Sequence, residues 1–480
     1  MQTNGIHNHM IYPVSDVVHV GEVSVEDQMM AVPFSDLVTP MVAESNFTPA
    51  AAVPPYKAYH RHNFRQLPQV AGLSEAQKQA IDVVAQVLPF RTNSYVVDHL
   101  IDWQNIPDDP IFQLTFPQQG MLRPEHFERI ADLLRRKVGS QEVTAAANEI
   151  RAELNPHPAG QLEHNRPHWQ GRQLTGLQHK YKETVLFFPS QGQTCHAYCT
   201  FCFRWPQFVG NNSLKLAMQE GESLAGYIGE HQEITDVLIT GGDPLIMKTA
   251  TLERYIHHLL SPGLEHLQTI RLGSKALGFW PYRFLTDPDA DELLRLFQTI
   301  TDAGKHVTLM AHFNHPRELD NEVVAAAIKR ILSTGAQIRT QSPVMAHIND
   351  QPSLWVEMWQ KQVALGCIPY YMFVARDTGA QHYFALPLIR AWEIFQQAYQ
   401  KISGIGRTVR GPSMSAYPGK VQILGTSVIN GEEVFVLQFL QGREADWVLR
   451  PFFARYDPTA IWLDDLQPAL GQERFFFECS

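Results

Sequence analysis

Cys195-His196-Ala197-Tyr198-Cys199-Thr200-Phe201-Cys202 sets three thiols at C-x3-C-x2-C spacing in a chain of 480 residues with only five cysteines. Thiolates are the usual ligands of iron–sulfur clusters. Three on one tight loop can hold three irons of a [4Fe–4S] cube and leave the fourth iron open to a small chelating ligand. A zinc site would need a fourth ligand, and His196, adjacent to a ligand cysteine, is badly placed to supply it. An odd cysteine count without a secretory signal argues against a disulfide framework and for a reducing compartment. Cys367, in an apolar run, and Cys479, next to last, read as ordinary thiols.

The stretches around this loop alternate between two periods. Strand patterns run Thr184 to Pro189, Val237 to Thr240, Thr269 to Leu272, His306 to Phe313, Gln337 to Gln341 and Ile368 to Val374. Helical patterns follow them at about 213–230, 249–261, 287–302, 317–334, 351–365 and 386–402. Six strand–helix units with short loops predict an α/β fold, a parallel sheet curved into a partial (β/α)6 barrel over residues 181–403. Sites in such folds gather at the carboxyl ends of the strands. The cysteine loop, Gly241-Gly242-Asp243 and Gly273-Ser274 all follow strands, which predicts one shared site.

Upstream, residues 61–180 read as a helical domain. Ser74 and Gln77 carry the signature of a capped helix start, Arg123 to Lys137 and Glu142 to Leu154 are amphipathic, and Pro107-Asp108-Asp109-Pro110 is a turn. Residues 1–60 lack a period and read as a poorly packed extension with one short strand, Asp16 to Val23. Residues 404–480 form a small C-terminal α+β segment. There Arg410 to Lys420 reads as a Gly/Pro-punctuated loop, Val421 to Leu424 and Val434 to Leu437 as strands, and Phe475-Phe476-Phe477 as a tail that could pack on the barrel or on a second subunit in a homo-oligomer.

Hydrophobic content of 44% and charged content of 18% are those of a globular protein, and the net charge of −10 leaves no basic footprint for nucleic acid. No apolar run approaches a membrane span, and no basic region followed by a hydrophobic stretch opens the chain. A cytoplasmic protein without a membrane or nucleic-acid partner is expected.

Several polar residues near these strand ends are candidates for chemistry. Gly241-Gly242 after a strand suits close approach of a ligand, although Gly-Gly-Asp-Pro alone is an ordinary turn. Arg204, two residues past Cys202, could clamp a carboxylate bidentately or sit in a salt bridge at the barrel rim. Lys420, on a Gly-bearing loop, could act as an amine nucleophile if burial lowers its pKa, against the common role of a lysine as a solvated charge. His312 and His315 are spaced wrongly for a chelate on one strand. His312 is expected at the strand end facing the site, with His315 in the turn before Pro316.

In order along the chain, these motifs resemble the lysine 2,3-aminomutase family of radical S-adenosylmethionine (SAM) enzymes. The resemblance runs from about residue 61 to 425. It rests on the cysteine motif with Arg204, Asp236 to Leu245, Ile270 to Ser274 and His312 to Pro316, and more weakly on Gly176 to Tyr181, Pro369 to Tyr371 and Pro418-Gly419-Lys420. It implies a [4Fe–4S] cluster on Cys195, Cys199 and Cys202 and SAM near Gly241, Gly242, Asp243, Ser274 and His312. Asp243 would accept from the ammonium of SAM. It also implies pyridoxal 5'-phosphate (PLP) on Lys420, with Lys180 and Tyr181 beside it and Lys180 as a phosphate contact. Arg204 would take the substrate carboxylate. The family reaction starts from a 5'-deoxyadenosyl radical, moves an amino group from the α- to the β-carbon, and calls for an electron donor such as flavodoxin or ferredoxin.

The chain departs from the family where lysine mutases bind the distal amine. Ser413 stands at one aspartate position and Arg376 at the other, with Asp377 reaching it only after a one-residue shift, and Thr184 replaces an arginine. A buried ammonium needs an anion, so an amino acid other than free lysine is expected, and Arg376 suits an anionic distal group such as that of glutamate. A PLP-free radical SAM reaction on a larger substrate and a non-catalytic iron–sulfur sensor stand as alternatives.

Overall fold

The structure is a computed structural model and describes residues 55–211 and 214–478. The strand expected at Asp16 to Val23 and Cys479 lie outside the described residues. Of the expected extension, the part that is described includes Ala58–His60, which pairs antiparallel with Arg91–Asn93.

Eleven strands lie side by side in chain order in one sheet. They are β1 (Leu177–Tyr181), β2 (Thr184–Phe187), β3 (Asp236–Ile239), β4 (Thr269–Ser274), β5 (His306–His312), β6 (Gln337–Val344), β7 (Ile368–Val374), β8 (Arg410–Ser415), β9 (Gly419–Ile429), β10 (Glu432–Gly442) and β11 (Pro451–Arg455). Strands β2 to β8 are parallel, and β1 and β9 to β11 join antiparallel. Each end strand of the sheet has one neighbour among the described residues, so the sheet is open. Parallel neighbours need crossovers. Helices Gly221–Glu230, Thr249–Leu259, Ala290–Asp302, Glu322–Leu332, Pro352–Ala364 and Leu388–Tyr399 follow the strands as the sequence pattern predicted. In β5 every residue from Val307 to Ala311 is buried, as expected of a parallel strand covered on both faces.

The sequence reading missed the seventh parallel strand. Arg410 to Ser415, read as a loop, is β8 and pairs Arg410 with Tyr371 and Ser413 with Phe373 across a register shift. Glycine and proline normally demote a strand. Here a Cβ on Gly411 would meet the Met372 carbonyl oxygen at 2.3 Å, so glycine is what lets the two backbones meet.

Upstream of the sheet, Ser74 and Gln77 form the expected reciprocal cap of helix Glu75–Val87, and Pro124–Arg135 and Ser140–Glu153 follow. The segment is helical as far as Glu153, apart from the pairing of Ala58–His60 with Arg91–Asn93, and then runs through a two-residue pairing of His168–Trp169 with Arg172–Gln173 into β1. One continuous apolar core joins these helices to the parallel sheet. A second cluster, with Phe435, Phe439, Phe452 and Trp462, lies under β9 to β11, and Phe475 is buried in it. No described helix is long and apolar enough to cross a membrane.

Candidate active site

The cysteine loop leaves β2 with little regular structure of its own, so its shape is imposed from outside. The Tyr198 amide donates to the Arg91 carbonyl at 2.7 Å and the Thr200 amide to the Leu114 carbonyl at 2.9 Å. Tyr56 Oη and Asn93 Nδ2 both donate to the His196 carbonyl, at 2.8 and 3.2 Å. Arg91 donates onward to Thr194 Oγ1 and Tyr56 Oη. The helical segment is therefore the clamp of the loop. His196 itself is buried, lies outside the cavity lining, and is held neutral, its pKa pushed down to about 3 by burial.

Gly241-Gly242 serves this packing. A Cβ on Gly242 would meet the Thr194 carbonyl oxygen at 2.4 Å and its nitrogen at 2.5 Å. The turn after β3 thus runs against the cysteine loop itself. The buried Asp243 carboxylate accepts from Ser274 Oγ, the Lys275 amide and the Leu245 amide, each at 2.9 Å. Its first task is to tie the ends of β3 and β4 together.

The three thiols are free, half-buried, and line one cavity of about 340 Å³. Among the described residues no three metal-binding side chains converge on a point that a single ion could fill. In a [4Fe–4S] cube each thiolate takes a different iron. Burial raises the thiols, Cys202 to about 11, so a cationic metal partner is what would bring them to thiolates. The donor set fits a [4Fe–4S] cluster.

Across the cavity the walls are cationic. Lys180, Arg204, Arg271, Lys275, Arg376 and Lys420 line it, against a single acid among the described residues, Asp243. Arg271 is matched by Asp236 and Lys275 by Glu318. Among the described residues Lys180, Arg204 and Lys420 form no ion pair, and Arg376 has Asp377 at 3.7 Å. Arg204 Cζ lies 4.4 Å from the Phe188 ring centroid and 4.9 Å from that of Phe203, and its pKa falls to about 10 through burial. Lys180 donates to the Ala416 carbonyl and is pushed down to about 6 by burial and by the charges of Arg376, Arg443 and Lys420. Lys420 Nζ donates to Gln441 Oε1 at 3.1 Å and is pushed down to about 7 by burial, then by Arg271 and Arg410. A buried amine that sheds its proton near neutrality, with Lys180 beside it as a donor in the same cavity, fits PLP.

Cys195, Cys199, Cys202, Arg204, Gly241, Gly242, Asp243, Ser274, His312, Lys180, Tyr181 and Lys420 all line this one cavity. His312 ends β5 and is held neutral by burial, its pKa near 3. His315 stays out, its Nδ1 accepting from the Arg317 amide in the turn beyond Pro316. Arg376 lines the cavity and Asp377 does not. Ser413 is fully buried outside the lining, 3.5 Å from the Met372 carbonyl oxygen. The sequence reading missed Lys275, Phe203, Tyr371 and Gln441. The alternation of Tyr371 and Phe373 along β7 was the available signal for two aromatic residues on one face.

The chain matches no protein-family model. It is 32% identical to a provisionally named L-lysine 2,3-aminomutase of Aquifex aeolicus over 82% of this chain and 91% of that protein. It is 30% identical to the L-lysine 2,3-aminomutase of Bacillus subtilis over 48% of this chain and 46% of that protein. With that of Methanococcus maripaludis it shares 23% over 77% of this chain and 74% of the other. The likeness to the Aquifex aeolicus protein spans nearly all of that relative. This chain belongs to the lysine 2,3-aminomutase family of radical SAM enzymes.

Proposed function

We propose that this protein is a PLP-dependent radical SAM aminomutase that shifts the amino group of an α-amino acid other than free lysine from the α- to the β-carbon. The observation that carries the reading is Lys420, a buried amine with a pKa near 7 in the same cavity as the three cysteines. When bound, the cluster and SAM supply a hydrogen-abstracting radical, and PLP supplies the conjugated ring that spreads an unpaired electron.

The residues divide the remaining work. Cys195, Cys199 and Cys202 hold the cluster, and Gly241, Gly242, Ser274 and neutral His312 form the wall toward SAM. Lys420 offers an unprotonated nitrogen as nucleophile. Lys180 and Tyr181 stand beside it, with Lys180 as a donor to phosphate. Arg204 orients the substrate carboxylate through its fork of N–H groups. The half-buried cavity keeps water from a reactive radical. A reductant of the flavodoxin or ferredoxin kind and a reducing, cytoplasmic compartment complete the reading.

Protein reconstituted with iron, sulfide, PLP and SAM without oxygen, then reduced, should convert an α-15N-labelled amino acid to a product with nitrogen on C3, read by NMR. SAM cleavage with nitrogen left on C2 of every amino acid tried would contradict it. That outcome would favour a PLP-free hydrogen abstraction, a reading to which the engagement of Lys180 with the Ala416 carbonyl lends weight.

A further inference from the structure

We propose that Arg376 forms a second anion subsite beside Arg204, so that the amino acid taken is an α-amino dicarboxylate of about the size of aspartate or glutamate. The inference rests on the functional reading above and names the substrate class of the same site.

Both guanidinium groups lean on one ring. Arg204 Cζ is 4.9 Å and Arg376 Cζ 5.2 Å from the centroid of Phe203. Arg204 Nη1 and Arg376 Nε and Nη2 are buried with no hydrogen-bond partner. Buried donors are nearly always paired, and three orphans on two neighbouring arginines mark a place that an incoming acceptor completes. The nearest acid to Arg376 is Asp377, whose Oδ1 stands 3.7 Å from Nε, beyond hydrogen-bond reach. Its Oδ2 accepts from Asn155 Nδ2 at 3.2 Å, outside the cavity wall.

The charge of the wall points the same way. The only acid lining the cavity among the described residues, Asp243, already accepts from three donors. A cationic side-chain terminus would therefore meet Arg376 and Arg204 with no free carboxylate to replace its hydration. A phosphate on Lys180 and an α-carboxylate on Arg204 leave Arg376 with only the Asp377 carboxylate, 3.7 Å from its Nε and outside the cavity lining. A side-chain carboxylate supplies an anion within the cavity, in the bidentate geometry that a guanidinium prefers.

The test begins with protein loaded with PLP, the adduct on Lys420 being verified by borohydride reduction and mass spectrometry. The visible absorbance of the loaded protein is then titrated with L-glutamate, L-aspartate, L-alanine and L-lysine. One dicarboxylate should half-saturate at a concentration at least about tenfold below that of L-alanine and of L-lysine, the scale of a charge-assisted pair. Arg376→Met should erase that preference and still load PLP on Lys420, and Arg376→Lys should retain part of it. Tightest response to L-lysine, or no response to either dicarboxylate, overturns the proposal. So does loss of PLP loading in Arg376→Met, which would make Arg376 a phosphate ligand. Wild-type protein that forms no adduct defeats the functional reading itself, and the two failures are separated because loading is scored before the titration.

Discussion

The Lys420 amine lies 4.0 Å from the centroid of the Tyr371 ring, with Gln441 as its hydrogen-bond acceptor. No ion pair holds Lys420 among the described residues. An aromatic face favours the ammonium, and burial opposes it more strongly. The folded-state pKa is about 7, against 10.5 for an ordinary lysine. The amine is thus protonated below that value and free above it. The rate of PLP capture should rise as pH climbs through about 7 and level off by pH 9, as followed by stopped-flow absorbance. A rise that begins only near pH 10 would mean that Lys420 keeps an ordinary pKa.

Gly242 has no room for a side chain against the Thr194 backbone. Gly242→Ala should push the cysteine loop away from the turn after β3. Iron and sulfide bound per chain should fall several-fold after reconstitution, while far-ultraviolet circular dichroism stays close to that of the parent. Full iron content would show that the close approach is not needed to shape the loop.

Lys275 and Glu318 form a buried ion pair at the cavity wall, with Glu318 also accepting from the Asn314 and His315 amides at 2.8 and 3.2 Å. Removing one partner leaves a buried charge uncompensated. Lys275→Met should cost about 3–5 kcal/mol in urea unfolding, and the Lys275→Met/Glu318→Gln double variant should cost less than the sum of the single changes. Additive losses would show that the two groups do not interact.

Arg204 offers a planar fork where a lysine would offer a point charge. Arg204→Lys should raise the KM of the amino-acid substrate by roughly 10- to 100-fold, about 1.4–2.8 kcal/mol, with a smaller effect on kcat. The electron paramagnetic resonance signal of the reduced cluster should be unchanged. An unaltered KM with an altered cluster signal would assign Arg204 to the cluster rather than to the substrate.

Of the parallel strands, β3, β5 and β7 were legible as short runs rich in apolar residues. Ser74 with Gln77 announced its helix by a reciprocal cap formed within four residues. Strand β8 was not legible, since Gly411 and Pro412 break strand propensity and only the neighbouring Met372 backbone explains the glycine. Gly242 read as room for a ligand, and it lines the cavity while also packing on Thr194, a contact across 48 positions of chain that no local pattern encodes. The choice between Arg376 and Asp377 likewise needed the direction of the chain after β7. Lys275 went unremarked because its partner Glu318 is far along the sequence, and either charge alone reads as solvated surface.

The most direct test of the account is the fate of Lys420. Oxygen-free protein, stripped of its cluster and incubated with PLP, is reduced with borohydride, digested and mapped by mass spectrometry. A pyridoxyl adduct on Lys420, absent from Lys420→Arg, is the predicted result. An adduct elsewhere or none at all, in protein that still cleaves SAM once its cluster is rebuilt, would contradict the PLP-dependent aminomutase.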